Sequence, residues 1–112
     1  MRSRLRLRRS EDFARLRERG RTVQNRWMLI SVMPNDLSHN RYGFVTAKRL
    51  GTAVQRNRVR RLMREAVRLR DPDLQLGFDL VLVARTPLVE QPFASVRRTV
   101  DDLLKQSGLL SV

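Results

Sequence analysis

Strand-like and helix-like patterns interleave along these 112 residues, and that alternation predicts a single α+β domain. Three compact apolar runs, Trp27–Met33, Arg41–Ala47 and Phe78–Ala84, have the length and apolar density of strands. Three other segments space apolar residues three and four apart, as a helix with one buried face does. No repeat, Gly/Ser linker or low-complexity block divides the chain, so residues 1–112 are expected to form one unit.

The elements follow in order. Residues 1–9 place Arg2, Arg4, Arg6, Arg8 and Arg9 around two leucines, which reads as a mobile basic arm. No apolar stretch follows it, so it does not read as a secretory signal. Ser10 then stands where a helix N-cap belongs, with Glu11 and Asp12 suiting the positive helix end. Phe13 and Leu16 share a face, and Gly20 marks the stop. Trp27–Met33 is a strand apolar on both faces, closed by Pro34, and Asn35 to Asn40 is a polar loop. In the next strand one face carries Tyr42, Phe44 and Thr46, and the other the small Gly43, Val45 and Ala47. That small face leaves room for something to lie on it, a packed helix included.

Thr52 and Gln55 have the spacing of a capping box. Behind it Val59, Leu62, Met63, Ala66 and Val67 form one buried helical stripe, which Asp71-Pro72 brings to an end. Phe78–Ala84 is a near-continuous apolar strand, buried on both faces. Pro92 suits the first turn of a last helix with Phe93, Val96, Val100, Leu103 and Leu104 inward, and Gly108 ends it.

Charge narrows the function. There are 24 Lys and Arg against 11 Asp and Glu, a net charge of +13, with a pI near 11.8. Such a chain repels itself and is best offset by a polyanion, which favours nucleic acid over a solubility device or an anionic membrane surface. With no cysteines, a disulfide framework and thiolate metal sites are excluded. The longest apolar runs are about seven residues, against roughly 20 for a membrane span, so a cytoplasmic protein is expected.

The helix behind the capping box is the informative element. It carries Arg56, Arg58, Arg60, Arg61, Arg64, Arg68 and Arg70. At about 100° per residue, Asn57, Arg61, Arg64 and Arg68 form a stripe almost opposite the apolar one, flanked by Arg58 and Arg60. Like charges so spaced cost a helix a few tenths of a kcal/mol per pair, and Glu65 is the one acid within it. Guanidinium groups match phosphate with paired donors, so the stripe points to an external anion. A merely solvated face ordinarily mixes both signs. The helix lacks the interfacial aromatics of a membrane helix. A DNA-recognition helix stays open on charge alone, although neither a heptad seam nor a short two-helix turn accompanies it.

The run from Lys48 to Ala66, KRLGTAVQRNRVRRLMREA, resembles the signature of the bacterial ribonuclease P protein family. A basic pair and a glycine precede an Arg-Asn-Arg core that continues into a basic helix. The likeness extends outward. Ser10 to Phe13 with Gly20 resembles the family's first helix, Asn25-Arg26 the lead-in to its first strand, and Tyr42-Gly43-Phe44 the strand before the basic pair. Asp79 to Arg85 with Pro87 resembles the strand and turn that follow, so the resemblance spans roughly residues 5–106. It implies a sandwich with a four-stranded sheet and about three helices in αβββαβα order, with a left-handed crossover. It also implies an RNA-based endoribonuclease that removes the 5′ leader from precursor tRNA, with catalysis and Mg²⁺ residing mainly in the RNA subunit. The protein's partners are then that catalytic RNA and precursor tRNA, with no membrane and no small-molecule substrate. Lys48, Arg49, Arg56, Asn57, Arg58, Arg60, Arg61 and Arg64 fall on the basic signature, and Arg68 continues the stripe. Phe13, Arg17, Ser31 and Val45 fall on the leader cleft, although Arg17 and Ser31 stand where aromatics are found in other members.

The residues themselves agree with a non-catalytic protein. A nuclease needs a general acid and base or a carboxylate cluster holding metals. His39 sits in the polar loop, Asp71 and Asp73 punctuate a helix end, and Asp101 and Asp102 diverge by about 100° on a helix. No catalytic residue and no metal ligand is expected. The main rival is a structural RNA-binding protein of the ribosomal type.

Overall fold

A computed structural model of the chain describes residue 7 and residues 10–111, the side chain of Ser10 excepted. The capping expected of that side chain therefore lies outside the described residues. The elements are α1 (Ser10–Arg19), β1 (Arg21–Gln24), β2 (Met28–Pro34), β3 (Arg41–Val45), α2 (Ala53–Arg70), β4 (Phe78–Ala84) and α3 (Phe93–Ser107). The strands form one sheet in the order β1-β2-β4-β3. β2 runs antiparallel to β1 and β4, whereas β3 and β4 are parallel neighbours joined by a crossover through α2. Among the described residues this is α+β with four strands and three helices.

β1 has no counterpart in the apolar pattern. Arg21-Thr22-Val23-Gln24 is short and largely exposed, with one apolar side chain, and pairing with β2 is what makes it a strand. Asn25-Arg26 accordingly forms the turn between β1 and β2 rather than a lead-in to the first strand. Asn25 Oδ1 accepts the N–H groups of Trp27 (2.8 Å) and Met28 (3.0 Å) and closes that turn.

One sheet face packs against α2 and α3. Met28, Ile30, Leu80 and Leu82 meet Val59, Met63, Val96, Val100 and Leu104, all fully buried. Each such side chain contributes about 1.5–3 kcal/mol on burial, so this layer dominates stability. The capping box forms as the sequence predicts: Thr52 N–H donates to Gln55 Oε1 (2.8 Å) and Gln55 N–H to Thr52 Oγ1 (3.2 Å). At the far end α2 gives way to a 3-10 turn, Asp71–Asp73. There the buried Tyr42 hydroxyl donates to Asp71 Oδ1. Burial, helped by the Asp71 carboxylate, holds the phenol's pKa well above its usual range, so it stays a neutral donor.

The opposite face carries α1. Leu16 is wholly buried against Val81, and Leu7 joins them, its N–H donating to Tyr42 O at 2.8 Å. The sequence places Leu7 in a mobile arm; the structure instead ties it to the outer edge of β3. The rest of that arm lies outside the described residues. The small face of β3 is filled by Phe13, since a Cβ on Gly43 would fall 2.1 Å from Phe13 Cε1. Gly43→Ala must displace that ring, and overpacking of this kind costs about 1–3 kcal/mol. A thermal melt should show the loss; a melting temperature within about 1 °C of wild type, well under the shift such a cost implies, contradicts the seat assigned to Phe13.

Candidate nucleic-acid interface

The outward face of α2 follows from its buried one. Because Val59, Met63, Ala66 and Val67 point into the core, Asn57, Arg61 and Arg68 are exposed and Arg64 is half-buried beside them. The arginines are held differently. Arg58 donates to the carbonyls of Val89 (3.2 Å) and Gln91 (3.1 Å), so it ties α2 to the loop before α3. Arg60 donates to Asn57 Oδ1 (3.0 Å) and Thr46 Oγ1 (2.6 Å), both neutral acceptors that fix the guanidinium without cancelling its charge. Arg68 closes a fork on Glu65 at 2.9 and 2.6 Å, which lowers the Glu65 pKa. Arg70 closes a similar fork on Asp101 of α3, both bonds 2.9 Å. Glu65 and Asp101 are thus taken by Arg68 and Arg70 at its C-terminal half. The N-terminal half, with Arg56, Asn57 and Arg61, has no acidic residue in its first turn, and the exposed Lys48 and Arg49 adjoin it on a 3-10 turn. Gly51 joins the two with φ of 142°, a backbone state that side chains rarely adopt.

Beside α1 part of the sheet face is left open, and strand register sets which residues it shows. α1 covers the row Thr22–Ser31–Val81–Gly43, with Leu16 over Val81 and Phe13 over Gly43. The next row on that face is Gln24–Leu29–Val83–Val45, and its three apolar members are half-exposed. Val45 therefore lies on the open row, Phe13 borders it from α1 over Gly43, and Arg17 is exposed one helical turn on. Ser31 does not belong to the open surface. It is 1% exposed, and its hydroxyl pairs with Thr22 Oγ1 at 2.8 Å, so α1 closes it off.

The Ribonuclease P family model matches residues 1–108. The chain belongs to the ribonuclease P protein family. It is 46% identical over 112 residues to the ribonuclease P protein component of Chloroflexus aggregans, covering 99% of this chain and 83% of that one. Against the Caldanaerobacter subterraneus component it is 39% identical over 103 residues, covering 92% and 89% of the two chains. The Staphylococcus aureus RNase P protein structure superposes with a TM-score of 0.89 at 27% identity, over 96% of this chain and 98% of that one. The Thermotoga maritima RNase P protein gives 0.83 at 30% identity, over 90% and 96%. The chain is thus a protein subunit of ribonuclease P, in tRNA processing, and part of a ribonucleoprotein. That sets aside the rival ribosomal reading.

Within this ribonuclease P fold, several residues that shape the surface escape sequence reasoning. Leu29 and Val83 join the open row only through register. Thr46 and Phe44 border the arginine helix because β3 runs beside it, and Arg64 lies 5.8 Å over the Phe44 ring. The strand alternation does put Phe44 and Thr46 on one face, but it cannot say what that face meets. His39 remains in its loop, its carbonyl accepting from Asn35. Among the described residues no helix is long and apolar enough to cross a membrane.

Proposed function

We propose that the chain binds the catalytic RNA of ribonuclease P through the N-terminal half of α2, and the 5′ leader of precursor tRNA through the cleft beside α1. One observation carries this reading. Lys48, Arg49, Arg56 and Arg61 form a basic surface whose neighbouring carboxylates are engaged elsewhere, and it adjoins an apolar cleft suited to unpaired bases. Binding there offsets phosphate repulsion and orients the precursor. Among the described residues no cluster of His, Asp or Glu fits a metal ion. In that complex Mg²⁺ belongs with the RNA subunit, which supplies the cleavage chemistry, and the complex acts in the cytoplasm.

Phe13 tests the leader half of this reading. Phe13→Leu keeps most of the apolar volume and removes the aromatic face. The assembled enzyme carrying it should bind precursor tRNA about tenfold more weakly, one lost stack being worth about 1–3 kcal/mol. Mature tRNA should bind as before. Equal weakening of both, or of neither, means that Phe13 does not read the leader.

A further inference from the structure

We propose that a small polar pocket between the β1–β2 turn and the first half of α3 holds one unpaired guanine of the catalytic RNA, with Asp102 reading its Watson–Crick edge. The proposal rests on the reading of α2 as the RNA-subunit face and adds a separate site to it. The pocket lies on the side of the sheet that α2 and α3 cover, away from α1. Its volume is about 160 Å³, room for one planar base with ribose and phosphate left outside. Trp27 borders it from the turn and Gln91 from the loop before α3. Ser95, Arg98 and Asp102 border it from α3, three and seven residues apart on one helical face.

The walls are fixed and the polar groups facing them are unspent. Asn25 Nδ2 donates to Thr99 Oγ1 at 2.7 Å, which pins the turn to α3. Arg26 lies 4.6 Å over the Trp27 ring, so Trp27 serves as a wall and not as a stacking platform. The Gln91 carbonyl accepts from Arg58 at 3.1 Å, which joins the pocket to the N-terminal half of α2, and catalytic RNA on that half is its nearest source of bases. By contrast, the side chains of Gln91, Ser95, Arg98 and Asp102 make no hydrogen bond or ion pair among the described residues. Arg98 and Asp102 stand one turn apart, where opposite charges ordinarily pair, yet each is exposed and free. An acceptor-only carboxylate selects among the bases. Guanine alone sets two donors side by side on its Watson–Crick edge, N1–H and N2–H, to match the two carboxylate oxygens. Adenine and cytosine place an acceptor beside a donor, and uracil offers one donor between two acceptors. Arg98 at the rim then suits the phosphate.

Two measurements test it. The chain has one tryptophan, so its fluorescence reports on this pocket. The probes are five-residue single-stranded RNAs of adenosine with guanosine, inosine or adenosine at the centre, inosine lacking the N2 amine. By Trp27 fluorescence the free protein should bind the guanosine RNA about tenfold more tightly than the inosine RNA, and the adenosine RNA no better than inosine. Asp102→Asn should erase that ratio, and because Asp102 is exposed the melting temperature should hold. In the second measurement the protein is assembled with a bacterial ribonuclease P RNA and probed with kethoxal, which modifies unpaired guanines at N1 and N2. One guanine of that RNA should be shielded by the wild-type protein and modified again with Asp102→Asn. The pocket is overturned if the three short RNAs bind alike, if Asp102→Asn keeps the guanosine preference, or if no guanine in the catalytic RNA responds to that change. Protection of the RNA that is lost with the Arg56, Arg61 and Arg64 alanine variant, but indifferent to Asp102, overturns the pocket alone. A wild-type protein that shields no part of the RNA overturns the α2 reading as well.

Discussion

Val59→Asp is expected to leave the domain largely unfolded at room temperature. Val59 is fully buried in the layer that α2 and α3 form against the sheet. A carboxylate placed there without a partner costs several kcal/mol, while small domains have about 5–15 kcal/mol in all. Arg61 lies two residues on, exposed, and Arg61→Ala should shift stability by no more than about 0.5 kcal/mol. Circular dichroism melts of the two variants separate these outcomes. An unshifted Val59→Asp melt contradicts the orientation of α2, and with it the whole placement of the basic face.

Replacing Arg56, Arg61 and Arg64 together by alanine is expected to lower affinity for the RNA subunit on the order of a thousandfold, at about 1.5 kcal/mol per charged contact. The dependence of log K on log salt should flatten by about two units or more, since each phosphate contact contributes about 0.7–0.9. Arg70→Ala serves as the contrast. Its guanidinium is committed to Asp101 across the α2–α3 contact, so that change should lower the melting temperature and leave the salt slope alone. A triple variant with the wild-type slope means that the arginine stripe is merely solvated.

Local chemistry made much of this legible in the sequence. The capping box at Thr52, the end of α2 at Asp71-Pro72 and the stripe through Val59 and Met63 depend on residues within a turn or two of one another. The structure places each where periodicity predicts it. What eluded the sequence depends on partners far along the chain. β1 has too little apolar content to announce itself and exists through pairing with β2. Arg58 reads as one more exposed cation, yet it binds carbonyls 31 and 33 residues away. Arg70 meets an acid on another helix, so counting Glu65 alone overstates the repulsion along α2. Ser31 falls on the cleft by analogy, but α1 lies across it. The small face of β3 left two occupants open, a ligand or a packed helix, and the close approach of Phe13 to Gly43 decides for α1.

The most direct measurement of the division of labour is cleavage of precursor tRNA in three parallel reactions: protein alone, a bacterial ribonuclease P RNA alone, and the two together, each across a range of Mg²⁺. The expected result is no cleavage by the protein at any Mg²⁺ concentration. The RNA alone should cleave at high Mg²⁺, and adding the protein should move that activity to low Mg²⁺, because its +13 charge offsets phosphate repulsion that the metal otherwise screens. Metal-dependent cleavage by RNA-free protein, or an Mg²⁺ requirement that the protein leaves unchanged, contradicts it.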